Sequence, residues 1–142
     1  MQTIGRKDKA DFPEFGLHNM NVKIDTGAYT SAIHGSNIKE VIINGSTELH
    51  FQLLDEGHLK FKNKVHKTRD YRRKKIKSST GHAEFRFIIK TLITIFDKTY
   101  PIELSLSNRS KMKNPVLLGR KFLAKRFIVN VSKTNLSAKE KY

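Results

Sequence analysis

Ile24-Asp25-Thr26-Gly27-Ala28 is the stretch of this sequence best equipped for chemistry. Met20, Val22 and Ile24 alternate with polar residues, so an extended strand should end by delivering Asp25 onto a tight turn. A carboxylate presented in this way can be one half of a hydrolytic pair. Two facing carboxylates cannot both ionise. One pKa rises and the other falls, so identical side chains become an acid and a base around a single water. Thr26 would fix the turn through its hydroxyl, and Gly27 would let backbone N–H groups approach the carboxylate without a Cβ in the way. Taken alone, Asp-Thr-Gly is also ordinary turn chemistry.

A second piece lies ninety residues on. Pro115-Val116-Leu117-Leu118-Gly119-Arg120 leads into Lys121-Phe122-Leu123-Ala124 and then Phe127-Ile128-Val129-Asn130-Val131. This reads as a short apolar strand ending in Gly-Arg, then a short helix, then a final strand. In this order and at this separation the two pieces resemble one lobe of a retroviral-type aspartic protease, in which an apolar-apolar-Gly strand packs behind the catalytic turn. Ile4-Gly5-Arg6-Lys7, Thr30-Ser31-Ala32-Ile33-His34, Ser79 to Arg86 and Asn108 to Met112 extend the likeness over residues 4 to 132. Together these motifs are similar to the bacterial retropepsin-like branch that carries the label "ATP-dependent zinc protease". Genes of that branch often lie beside those of ATP-grasp ligases that add glutamates to proteins.

The resemblance implies an all-β, single-lobe acid-protease barrel with a flap hairpin and one short C-terminal helix. It assigns Asp25, Thr26 and Gly27 to catalysis. Ala28, with Ser79, Thr80, Gly81 and His82 of the flap tip, would meet substrate. Leu118, Gly119 and Arg120 would support the site. One departure stands out. The arginine after the glycine pairs in retroviral enzymes with an acid shortly after the catalytic turn, and here that stretch is Tyr29-Thr30-Ser31. Arg120 must find another partner, such as Glu84 or the carbonyls of the Asp25 loop, or else face solvent.

The chain holds 142 residues, enough for one domain and too few for two lobes. The expected division is a lobe over 1–136 and a polar, frayed tail over 137–142. Asp-Thr-Gly occurs once. An aspartic mechanism would therefore take its second carboxylate from another copy in a twofold homodimer. There are no cysteines, so neither a disulfide framework nor a thiolate metal site is available. The first fifteen residues hold no apolar signal-like core and no long apolar run occurs, so the chain reads as cytoplasmic and unconnected with a membrane.

The strongest compositional signal is charge, with 28 Lys and Arg against 13 Asp and Glu, a formal net charge of +15. Ten of the basic residues fall between His58 and Lys77 with one acid, Asp70. Such a block favours an anionic partner, an acidic polypeptide before a nucleic acid, because no nucleic-acid motif accompanies it. It is equally what a solvated strand edge protected by lysine looks like.

Further elements are expected at Leu17 to Ile24, at a hairpin turning on Asn44-Gly45, at Tyr71 to Lys77 paired with Ala83 to Phe96, and at Tyr100 to Leu106. Asp11 to Gly16 reads as a loop. Leu49, Phe51 and Leu53 should share the buried face, with His50 and Gln52 outward. The six histidines include no His-Glu-x-x-His string, and there is no glycine-rich phosphate loop. Neither zinc nor ATP is called for, and no cofactor is expected. His34 reads as a structural hydrogen-bonding group.

Two functions follow. One is an aspartic endopeptidase that acts as a homodimer on acidic, glutamate-rich peptides or protein tails. The other is a non-cleaving basic module that grips an acidic tail or ribosomal RNA.

Overall fold

The computed structural model describes residues 1–77, 83–108 and 113–140, with only the backbone described for 76, 77, 83 and 84. Eleven strands, two short α-helices and a single 3-10 turn at Pro13–Phe15 are the regular elements of the described residues. The strands are β1 (Gln2–Ile4), β2 (Lys7–Phe12), β3 (Leu17–Ile24), β4 (Ser31–Ile43), β5 (Ser46–Leu53) and β6 (His66–Thr68), followed by β7 (Tyr71–Lys77), β8 (Ala83–Ile95), β9 (Lys98–Ser107), β10 (Val116–Leu118) and β11 (Phe127–Val129). The helices are α1 (Arg120–Leu123) and α2 (Leu136–Glu140).

Six strands close on themselves. Neighbours run β10-β3-β2-β8-β9-β4, and β4 returns to β10 through Val116 opposite Ile33 and Leu117 opposite Ala32. β10 is therefore wedged between β3, which it parallels, and β4, which it opposes. Closure leaves the ring no free edge. It is filled by alternate residues of each strand, including Phe12, Met20, Val22, Ile33, Ile89, Ile93, Leu104 and Leu118, all essentially inaccessible to solvent. β5 and β6 extend from β4, β7 pairs with β8, and β1 runs parallel to β11 as a separate two-stranded sheet.

Turn chemistry sets the register. Asn44 (φ 51°) and Gly45 (φ 78°) take the two left-handed positions of the β4–β5 hairpin, which fit the twist of the paired strands. β7 and β8 pair from Tyr71 opposite Ile89 to Lys77 opposite Ala83. This is the hairpin expected to carry the flap, and its tip, 78–82, lies outside the described residues.

Three expectations need correction. Lys7 to Phe12 is a strand, although the stretch from Asp11 reads as loop. Ala10 and Phe12 point into the barrel, and Asp8 is buried with them because its carboxylate is satisfied elsewhere. Gln52 is buried, because it accepts from the Asn37 amide and donates to Asn63 Oδ1 at 3.0 Å. Residues 137–140 are no frayed tail. They belong to α2, which docks with Ser137 buried, so there are two short helices rather than one. No helix among the described residues is long and apolar enough to cross a membrane.

Candidate active site

β3 carries Asp25 out of the barrel. The Ile24 N–H donates to the Arg6 carbonyl at 2.9 Å, and the Asp25 N–H donates to the Leu118 carbonyl at 2.9 Å. Leu118 lies opposite Ile24 in the parallel β10–β3 pair. The aspartate thus leaves the sheet with its backbone still fastened to the strand behind it. Asp25 Oδ1 accepts the Gly27 N–H at 2.9 Å, and the Asp25 carbonyl accepts the Ala28 N–H at 3.3 Å. Oδ1 is therefore held in place, while Oδ2 has no hydrogen-bond partner among the described residues. Asp25 is half-buried, and Thr26 and Gly27 are exposed. The turn stands at an open surface of the lobe.

Gly119 sits directly beneath this turn. A Cβ there would lie 2.7 Å from the Tyr29 carbonyl oxygen and 2.8 Å from that of Ala28, closer than side-chain carbons approach. Its φ of −101° suits any residue, so lack of space is what demands glycine. The Gly119 N–H donates to Ser31 Oγ at 3.0 Å, a buried bond at the first residue of β4. α1 then clasps the turn from below. The N–H groups of Arg120 and Lys121 donate to the carbonyls of Ala28 and Tyr29 at 2.8 and 2.9 Å. Those carbonyls are thus satisfied by the first residues of α1, whose N–H groups have no partner within the helix.

Arg120 finds its partner in the turn itself. One guanidinium nitrogen donates to the Thr26 carbonyl at 2.9 Å, and the group lies 5.8 Å from the centre of the Tyr29 ring. A cation over an aromatic face is attractive. Glu84 has no described side chain, so the loop carbonyl is the partner observed.

The other residues singled out from the sequence fall in different places. Ala28 is half-buried beside α1. Ser79, Thr80, Gly81 and His82 lie outside the described residues. His34 is buried, and its Nε2 lies 2.7 Å from Asp55 Oδ2, which ties β4 to the loop after β5. Asp55 Oδ1 also accepts the Gly57 N–H at 2.9 Å. These bonds, the one from His34 foremost, hold the Asp55 carboxyl below its usual range. His50 bonds to Glu48. His66 packs between Phe15 and Phe51. Among the described residues no three His, Asp or Glu side chains gather as metal ligands, so the donor set a zinc protease needs is not assembled there.

Two supporting residues carry no signal in the sequence. Ser31 stands inside a motif, and Tyr29 stands where an acid is missing. Their contacts involve a backbone N–H and a guanidinium brought from ninety residues away, and no local pattern announces them.

Comparison with known proteins agrees with this geometry. Residues 3–140 match the RimB-like family, described as retropepsin-like aspartic endopeptidase RimB. A probable alpha-L-glutamate ligase of Desulfotalea psychrophila is 36% identical over 132 residues, covering 89% of this chain and 27% of that protein. One from Shewanella pealeana is 31% identical over 136 residues, covering 92% of this chain and 29% of the relative. The chain thus spans little more than a quarter of the length of these curated relatives. A crystal structure of a Legionella pneumophila protein of unknown function superposes with a TM-score of 0.73 at 25% identity, covering 96% of this chain and 98% of that one. With the Asp-Thr-Gly turn braced from behind by Leu118 and Gly119, the chain belongs to the RimB-like family of retropepsin-like aspartic endopeptidases.

Proposed function

We propose that this chain is an aspartic endopeptidase that works as a homodimer on acidic, glutamate-rich polypeptide. The observation that carries the reading is Asp25, with Oδ1 fixed by the Gly27 N–H and Oδ2 left open on an exposed, braced turn. Facing the same turn of a second copy, two such carboxylates share one proton and hold one water between their open oxygens. The ionised one takes a proton from the water as it attacks the peptide carbonyl, and the protonated one donates to the carbonyl oxygen. The exposed Thr26 is placed to meet the partner's turn, and the β7–β8 hairpin is the element available to close over substrate.

Two observations support an acidic substrate. The basic segment leads straight into that hairpin, with Arg72, Arg73, Lys74 and Lys75 all exposed. Proteins that contain a matching region are named probable alpha-L-glutamate ligases, a name that supports a glutamate-rich substrate. The same exposed cations favour the second reading, a module that binds an acidic tail without cutting it.

The test is digestion of an unbiased peptide library by wild type and Asp25→Asn, read by mass spectrometry from about pH 4 to pH 8, because the active dyad must be singly protonated. Cleavage lost in the variant, with cuts clustered at acidic residues, is expected. Equal cleavage by both proteins sinks the aspartic mechanism. No cleavage by either, with acidic peptides still bound, leaves the binding module.

A further inference from the structure

β7 pairs with β8 along all seven of its residues, and among the described residues nothing pairs with its other side. Alternate N–H and C=O groups of an edge strand point outward and are free to take another strand. Seven residues offer about 23 Å of such edge. The strand is anchored at its start, where the Tyr71 hydroxyl donates to Glu40 at 2.7 Å and its ring packs edge-on to Phe87.

The side chains along this edge say what could add to it. Arg72 reaches Glu103 and Arg73 reaches Glu40, so the protein's own acids already occupy those two cations. Lys74 and Lys75 are exposed and form no ion pair among the described residues. Consecutive strand residues point to opposite faces, so these lysines place one unspent cation on each side of the sheet.

We propose that the free edge of β7 is an exosite that takes an extended acidic segment of the substrate as an added strand. The proposal rests on the acidic-polypeptide reading above and gives that substrate an edge strand to dock on. Backbone hydrogen bonds supply affinity blind to sequence, and the cations supply selection. A second β7 is excluded, because edge-to-edge pairing would set one Arg-Arg-Lys-Lys run against another. An apolar or basic segment would leave Lys74 and Lys75 unmatched. A run of consecutive acids meets both, since its side chains also alternate between the faces. A peptide acidic only at every second position meets one of them.

Fluorescein-labelled octaglutamate, titrated into the full chain carrying Asp25→Asn and followed by anisotropy, tests this. Lys74→Glu with Lys75→Glu should weaken binding by about tenfold or more. Both residues are exposed and form no ion pair among the described residues, so the fold should tolerate the change. Octaglutamate N-methylated at alternate residues has the same charge but cannot form the ladder, and should also bind about tenfold more weakly to the unaltered lysines. Equal binding of the methylated and plain peptides overturns strand addition. Undiminished binding by the double variant overturns the role of the lysines. Single-stranded RNA that binds as tightly, and is lost in the same variant, overturns selection for acidic polypeptide. Asp25-dependent cleavage of octaglutamate with an unchanged KM in Lys74→Glu/Lys75→Glu removes the exosite and leaves the peptidase. Ladder-dependent binding with no cleavage by wild type does the reverse.

Discussion

The Arg120 guanidinium donates to the Thr26 carbonyl at 2.9 Å, so the residue after the supporting glycine closes the far side of the turn that Asp25 opens. Retroviral lobes use this arginine for an acid, and here a backbone oxygen and the Tyr29 ring take the acid's place. The consequence is local. An ion pair would hold the turn to a side chain that can itself move, whereas the Thr26 carbonyl fixes the peptide unit one residue after Asp25.

Arg120→Ala should therefore impair activity more than stability. One exposed hydrogen bond from a charged group is worth about 1 kcal/mol, or roughly fivefold in kcat/KM if it acts through the position of the turn. Arg120→Lys keeps the charge but lacks the planar stack on Tyr29 and should recover only part of the loss. Peptide hydrolysis beside thermal melting checks both. A variant that melts early and retains full activity would show that the contact serves the fold instead.

Gly119→Ala should be the most damaging single methyl in the site. Its Cβ would meet two backbone carbonyls at 2.7 and 2.8 Å, which cannot rotate away as a side chain could. Overpacking of this kind costs about 1–3 kcal/mol, equivalent to a fall in Tm of about 3–10 °C for a chain of this size. Gly45→Ala is the instructive comparison, because nothing lies within 4 Å of that position and only its φ of 78° resists a side chain. It should cost about 1 kcal/mol through backbone conformation and leave activity alone.

The pairing of His34 with Asp55 gives one acid-sensitive link. The bond from His34, and then that from the Gly57 amide, hold the Asp55 carboxyl below its ordinary value of 3.8. The folded chain therefore releases this proton more readily than the unfolded one. The resulting stability is complete above the unfolded value and is lost as pH falls through the folded one. The difference in Tm between wild type and Asp55→Asn should be constant above about pH 5 and shrink below 3.8. A difference that persists undiminished at pH 2 would show that charge plays no part in the link.

His66 works in the opposite window. Burial foremost, then Lys64 and Lys62, keep its pKa below the ordinary 6.5. Above 6.5 both states hold it neutral. As pH falls below that value, the unfolded chain takes a proton that the folded one refuses, so stability declines. Its ring lies 4.9 Å from that of Phe15 and 5.6 Å from that of Phe51, room an aromatic substitute can use. His66→Phe should flatten the decline in Tm between pH 7 and pH 5, and an unchanged slope would assign the decline to another group.

What the sequence reveals here is what is local. Asn44-Gly45 announces its turn because two left-handed residues are needed there, and β3 announces itself by alternation. Asp-Thr-Gly and Leu-Leu-Gly are legible as a pair only through a resemblance, since ninety residues separate them. The errors all come from partners far along the chain. Gln52 sits at an outward position of its strand and is nevertheless buried, because Asn63 from the following loop lies over it. The burial of Asp8 has no local signal, because the α2 amides that bond to it lie 129 and 130 residues away. Arg120 shows which turn it belongs to, but a carbonyl partner has no letter of its own.

Asp8 carries the last expectation, that α2 is part of the fold. Only 2% exposed, its carboxylate accepts the N–H groups of Ser137 at 2.9 Å, Ala138 at 3.2 Å and Lys9 at 2.7 Å. Ser137 in turn accepts the Phe96 N–H through Oγ at 2.8 Å, linking the helix to the β8–β9 turn. Removing residues 136–142 would leave a buried carboxylate with one amide in place of three, and an uncompensated buried charge costs about 3–5 kcal/mol. That is a large share of the stability of a domain this size. Asp8→Asn in the full chain keeps the shape but turns an acceptor into a donor that faces amides, and should cost about 1–3 kcal/mol. In the truncated chain the same substitution should instead recover stability, because it removes the stranded charge. Urea unfolding of the four proteins reads this reversal directly. Equal effects of Asp8→Asn in both backgrounds would mean that the helix and the aspartate do not depend on each other.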